Sequence, residues 1–272
     1  MNQNNLPYNQ FSVKYNKLFL ENIIQFKKSL LVDIKENDYF VDFYPSFGIT
    51  KNEKCDFLIY GQATNGWRTG FYLKEDINDE KIHHCIKESN KYLSQKKHTP
   101  IDWVNILWTD SIYKENMVDN LSKKFYDNTT YRTHKSFFWN VTYKIICDYY
   151  NIERQSWNWT RKLVWSNLYK ISSENANPNK YQQNAQFKIS WKLVKKELDE
   201  LKPKFCIVLT NKEWWEPFSN HLNTNSLSYD FTLTEIVSYE EYKNTKIIVT
   251  TRPRFGNGEV HVSQLLKLMQ QV

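Results

Sequence analysis

Three polar segments, each directly behind an apolar run, hold the residue types that could do chemistry in this chain. The first is Gly61-Gln62-Ala63-Thr64-Asn65-Gly66-Trp67, where two glycines bracket small polar residues and let the backbone turn tightly against a ligand. The second is Trp165-Ser166-Asn167-Leu168-Tyr169-Lys170. An Asn amide offers donors and an acceptor, the set that matches the edge of a pyrimidine. The third runs Thr250-Thr251-Arg252-Pro253-Arg254-Phe255-Gly256-Asn257-Gly258 and continues to His261-Val262-Ser263. Arg252 and Arg254 could grip phosphates, and Phe255, set among basic residues and glycines, could wedge into a base stack. Each segment also has a plain alternative: a Gly-bracketed βα turn, an Asn that ties down a loop, and a basic loop with one buried Phe.

Other chemistries are not written in the chain. Gly-x-x-x-x-Gly-Lys-Ser/Thr and Gly-x-Gly-x-x-Gly are both absent, so no phosphate-cradling loop of either kind is expected. His83-His84-Cys85 looks like a metal trio, but adjacent helical residues face different ways, and the set reads as a solvated helix face. Neither His-Glu-x-x-His nor a spaced Cys/His set occurs, so no metal and no cofactor is expected. Trp214-Trp215 reads as packing. Trp157-Asn158-Trp159-Thr160-Arg161-Lys162 mixes rings and cations and could line a DNA groove.

The elements that must position these segments follow from apolar patterning. Asp56–Tyr60, Leu163–Leu168, Phe205–Leu209 and Lys246–Thr250 are short, non-alternating and rich in β-branched or aromatic residues. That is how strands buried on both faces read. Helical spacing appears over 15–32, over a stretch starting near Thr133 (Phe138, Val141, Ile145, Tyr149), and through Trp191, Val194, Leu198 and Leu201 up to Pro203. Strands alternating with helices predict βαβ units. The expected fold is therefore a three-layer α/β sandwich with a central, mainly parallel four-stranded sheet flanked by helices. Asp38–Phe43 reads as a short strand or connection, Tyr229–Tyr239 as a hairpin or edge strand, and Ser172–Gln186 as a polar loop. In open sheets of this kind ligands bind beyond the carboxyl ends of the strands, where the three polar segments would meet.

Length and charge set the outer limits. A chain of 272 residues fits one decorated domain, read as 1–272 with an N-terminal helical extension (about 1–54) and an insertion (about 98–160). The net charge of +7 favours a polyanionic partner modestly. There is no signal-peptide pattern at the N-terminus and no apolar run of membrane-spanning length. Cys55, Cys85, Cys147 and Cys206 are widely spaced and read as reduced core thiols. A cytoplasmic monomer without membrane contact is expected.

Together the three segments resemble the uracil-DNA glycosylase superfamily. In that family the first strand ends in a Gly-Gln-Asp-Pro-Tyr type motif or a related Gly-rich one, matched here by Gly61-Gln62-Ala63-Thr64-Asn65. A later aromatic stacks on the base, and Phe71 is the nearest match. A middle strand ends in a base-reading Asn, in one branch as Thr-Asn-x-x-Lys, which Ser166-Asn167-Leu168-Tyr169-Lys170 resembles. The last strand ends in His-Pro-Ser followed by a wedge residue. Two alignments compete for it here, Arg252-Pro253 directly after the strand and His261-Val262-Ser263 further on. The motifs cover about thirty residues between roughly 55 and 265.

What the resemblance implies is a DNA glycosylase that flips a base from double-stranded DNA, or takes it from a single strand, and hydrolyses its glycosidic bond. Gln62, Asn65, His261 and Arg252 are the catalytic candidates. Ala63, Thr64, Phe71 and Asn167 would hold the base, and Lys170, Arg252, Arg254, Phe255 and Ser263 would contact DNA. The family's water-activating Asp is Ala63 here, which leaves the water to Asn65, Thr64 or a carboxylate such as Glu75 or Asp76. Asn65 also stands where the uracil-specific branch has a Tyr that blocks C5 substituents. The expected substrate is therefore a C5-modified or deaminated pyrimidine, as in decorated phage DNA, which would suit antiviral defence. The rivals are a non-catalytic binder of DNA or of a modified base, and an enzyme acting on a free nucleoside or nucleotide.

Overall fold

The computed structural model describes residues 11–30, 38–50, 53–62, 69–89, 99–108, 132–153, 157–174, 176–254, 256 and 258–271. Ten strands are described: β1 (Tyr39–Asp42), β2 (Ser46–Phe47), β3 (Phe57–Gly61), β4 (Thr69–Tyr72), β5 (Leu163–Asn167), β6 (Ile171–Ser173), β7 (Phe205–Leu209), β8 (Asn225–Ser226), β9 (Ile236–Tyr242) and β10 (Thr245–Thr250). The described α-helices are α1 (Val13–Leu30), α2 (Asp79–Ser89), α3 (Trp103–Ile106), α4 (Phe137–Tyr150), α5 (Lys180–Leu201), α6 (Lys212–Leu222) and α7 (Gly258–Met269).

The main sheet has seven strands, not four, in the order β2-β5-β3-β7-β10-β9-β8. The four apolar runs picked out by composition are its parallel block: β3 pairs in parallel with β5 and β7, and β7 with β10. Antiparallel edges flank this block, β2 beside β5 and β9 then β8 beside β10. Those extra strands escape a search for apolar runs because β2 and β8 are two residues long and β9 is mixed in polarity.

Burial explains why the parallel strands are apolar throughout. Leu58, Tyr60, Val164, Cys206, Val208, Ile247 and Val249 pack with α1, α2, α5 and α6 on one face. Phe57, Ile59, Leu163, Trp165, Phe205, Ile207 and Ile248 pack with α3, α4 and α7 on the other. With both faces covered, every position of β3, β5 and β7 and all of β10 but Lys246 is buried, and the period-two alternation of a one-sided sheet vanishes. All four cysteines are buried and free. No described helix is long and apolar enough to cross a membrane.

One local reading holds and one is corrected. Asp38–Phe43 does contain a strand, β1, but it belongs to a separate antiparallel sheet ordered β4-β1-β6. The supposed polar loop Ser172–Gln186 holds the end of β6 and the first turns of α5. Asn179 caps α5 in a reciprocal capping box with Gln182. Gln186 is buried, accepts from the backbone N–H groups of Lys170 and Ile171 at 3.1 Å each, and donates to the carbonyl of Ile171 at 2.7 Å. Its polarity serves the backbone rather than solvent, so hydropathy alone mislabels it.

Candidate functional site

In chain order the parallel strands lie 2-1-3-4, so the chain reverses its direction of travel between β3 and β7. Ligands of open α/β sheets enter at such a switch point, beyond the carboxyl ends of the strands. Here it is occupied by Gly61 and Gln62 from β3 and by Thr210 directly after β7. Gln62 spans it, donating from Nε2 to the carbonyl of Thr210 at 3.0 Å and accepting at Oε1 from Asn177 Nδ2 at 3.0 Å. The side chain expected to be catalytic thus has both ends of its amide engaged.

Asn167 ends β5 in register with Gly61. It is almost fully buried, and its Nδ2 has no hydrogen-bond partner among the described residues. A buried amide donor left unmade costs about 1–3 kcal/mol, a cost that a ligand acceptor would remove. Gly61 makes room for it: a methyl group there would come within 2.6 Å of Asn167 Oδ1. The same methyl would lie 3.6 Å from the ring of Phe138, a half-buried residue in the first turn of α4. Phe138 leans in turn on Trp139 and Trp165, with centroids 5.0 and 6.3 Å away. Gly61, Asn167 and an aromatic ring therefore lie together at the ends of β3 and β5. Its helical spacing marked Phe138 only as a core position; nothing local in the sequence announces that it faces the strand ends.

Phe71 does not reach that corner, which corrects its expected role as the stacking ring. It is fully buried in β4, against Phe40 and Phe26 with centroids 6.2 and 6.3 Å apart. The chain leaves the main sheet after Gln62 and joins the small antiparallel sheet, which carries Phe71 into the α1 layer. Ala63, Thr64 and Asn65 lie outside the described residues, as does Phe255. Glu75 and Asp76 sit exposed in the turn after β4, and Glu75 accepts from the backbone N–H of Tyr72 at 3.2 Å.

Lys170 is likewise no surface contact for phosphates. It is fully buried and pairs with Glu197 at 2.7 Å. Its Nζ also donates to Ser166 Oγ at 2.6 Å and to the carbonyl of Asn167 at 2.5 Å. Glu197 accepts from the hydroxyls of Tyr15 and Tyr60 at 2.6 Å each. Burial pushes the Lys170 ammonium pKa down against the pull of Glu197. Burial, followed by the neighbouring Glu197 charge, pushes both tyrosines well up. A buried cation survives only when paired and hydrogen-bonded, and this one is braced beneath the strand end that carries Asn167.

Past β10 the two competing residues separate clearly. Arg252 and Arg254 are exposed. His261 is fully buried in α7, where its Nε2–H donates to the carbonyl of Thr251 at 2.9 Å, with Glu235 Oε2 at 3.4 Å. Thr251 Oγ1 donates to Glu235 in turn. His261 thus braces the exit of β10, while Ser263 lies on the exposed side of the same helix. Arg252 starts three strand spacings from Asn167, about 14 Å at roughly 4.8 Å each.

The remaining candidates are structural. Trp159 is fully buried and donates from its indole to Asn105 at 2.7 Å, so it lines no groove. Trp215 is core and donates to Glu240 at 3.0 Å. His83 and His84 are exposed on α2, while Cys85 turns inward to Asp42 at 3.2 Å. No family model matches the chain, and no curated protein matches its sequence.

Proposed function

We propose that this protein is a DNA glycosylase-like hydrolase that takes a flipped pyrimidine, C5-modified or deaminated, into the crevice beyond β3 and β5. The observation that carries this reading is the Asn167 amide, buried at the end of a parallel strand beside a glycine, with a donor that meets no partner among the described residues. An enzyme that works on a base reads its edge by hydrogen bonds and holds its face by stacking. Asn167 offers the first and Phe138 the second. Arg252 and Arg254, exposed on the loop after β10 and so about 14 Å across the sheet from β5 by three strand spacings, suit the phosphate backbone better than the leaving base. Gln62 supplies the floor between them.

The test is incubation of the protein with duplex and single-stranded oligonucleotides carrying uracil or C5-substituted pyrimidines, followed by alkaline cleavage. Strand breaks at one class of pyrimidine, lost in Asn167→Ala, are the expected result. Breaks at plain uracil with none at C5-substituted bases would remove the substrate preference.

A second reading has its own support. Ala63 replaces the family's Asp, and the His261 Nε2–H is spent on the Thr251 carbonyl. A non-catalytic binder of DNA or of a modified base needs neither group. It would retard the same oligonucleotides in a gel and leave every base attached.

A further inference from the structure

We propose that Asn211 is a strained positioning residue whose side chain pre-orders the Arg252–Arg254 loop for the phosphate backbone of duplex DNA. The phosphate part rests on the reading above; the strain and the latch do not. Asn211 follows Thr210 at the end of β7 with φ 100° and ψ 161°. That region is essentially reserved for glycine, because a Cβ there crowds the backbone. Such strain persists only where the surroundings hold it, and it clusters at functional sites.

What holds it is on β10. The backbone N–H of Asn211 donates to the carbonyl of Thr250 at 3.0 Å, and Asn211 Oδ1 accepts from the backbone N–H of Arg252 at 2.6 Å. One residue thus continues the pairing of β7 with β10 past the point where the strands end. The register of β9 against β10 breaks at the same point, between Val249 and Thr250. The Asn211 side chain stands in for the ladder where the ladder stops. An ordinary helix-capping role does not account for it: Asn211 precedes α6, yet its side chain makes no capping bond. Thr210 links the latch to the switch point, since its carbonyl accepts from Gln62.

A surface loop that must grip phosphates loses affinity if it has to be ordered on binding, and holding it beforehand removes that cost. Glycine at 211 would relieve the strain and remove the latch. Alanine would remove the latch and keep the strain. The two variants therefore separate the roles.

The experiment uses the full chain as wild type, Asn211→Gly, Asn211→Ala and Arg252→Ala. Asn211→Gly should melt no lower than wild type, and Asn211→Ala should melt lower than both. Amide exchange at Arg252 should accelerate in both Asn211 variants. Affinity for a 20-base-pair duplex at low salt should fall about three- to tenfold in both, the effect of ordering one or two side chains on binding. The slope of log affinity against log salt should stay at the wild-type value, because the phosphate contacts are still made. In Arg252→Ala that slope should shrink by about one. Unchanged exchange at Arg252 overturns the latch, and Asn211→Gly melting below Asn211→Ala overturns the strain. Wild-type binding that Asn211→Gly does not weaken overturns its role in recognition. A wild type that binds no duplex overturns the phosphate role and the functional reading together, while melting and exchange still decide the latch.

Discussion

Lys170 Nζ lies 2.5 Å from the carbonyl oxygen of Asn167, with its charge met by Glu197 on the far side at 2.7 Å. The pair couples a buried ion network in the α1/α5 layer to the Asn167 amide at the end of β5. Removing the cation alone strands Glu197 in the core. Lys170→Met should therefore cost about 3–5 kcal/mol in unfolding free energy, measured by urea denaturation. Lys170→Met with Glu197→Gln should recover much of that loss, because no buried charge is left unpaired. A double variant no more stable than the single one would show that the ion pair is not what the network provides.

Gly61 tests the geometry of the corner. A methyl group there meets Asn167 Oδ1 at 2.6 Å, so the amide must move. We expect Gly61→Ala to lose about 1–3 kcal/mol of stability, as overpacked sites do, and to lose base release or base-specific binding along with Asn167→Ala. Wild-type activity in Gly61→Ala would mean that the Asn167 amide is not the reading group.

In the proposed reading Phe138, and not Phe71, holds the face of the base. Phe138→Ala should weaken binding of the preferred oligonucleotide by about 1–3 kcal/mol, the range for a ring stacked on a base, while retaining a cooperative thermal transition. Phe71→Ala should instead act on stability, by about 3–5 kcal/mol as a large core truncation, with ligand affinity following only the folded fraction. Calorimetric titration alongside thermal melts separates the two, and the opposite pattern would return the stacking role to Phe71.

The tyrosines on Glu197 predict an alkaline limit. Burial and the neighbouring carboxylate hold the Tyr15 and Tyr60 pKa values above the unfolded value. The folded state keeps both protons while the unfolded chain loses them above about pH 10. Stability from this source is complete below that pH and falls as pH rises beyond it. Tyr15→Phe should flatten the decline above about pH 10 relative to wild type, read from urea midpoints over that alkaline range. An identical alkaline slope in the variant would remove Tyr15 from the account.

Much of the framework was legible in local patterns. The four apolar runs became the parallel block because burial on both faces leaves no room for alternation, and that physics acts on each strand separately. The placement of Gly61, Asn167 and Arg252 at strand ends followed from it, since a strand that stops being apolar has left the core. What local pattern does not contain is which partner a side chain meets. Lys170 reads as a DNA contact by its place three residues after Asn167 in the motif, but Glu197 buries it from another helix. Phe71 had the expected spacing after Gly61, but the chain leaves the main sheet between them and carries the ring into another layer. Phe138 and Asn211 carry no such signal in the sequence: one comes near Gly61 only when α4 packs over the end of β3, the other reaches Arg252 only when β7 and β10 lie side by side. Residue type determined what each position could do; long-range packing decided which of them lie side by side, because contacts between distant segments are set by the whole core and not by any one stretch of it.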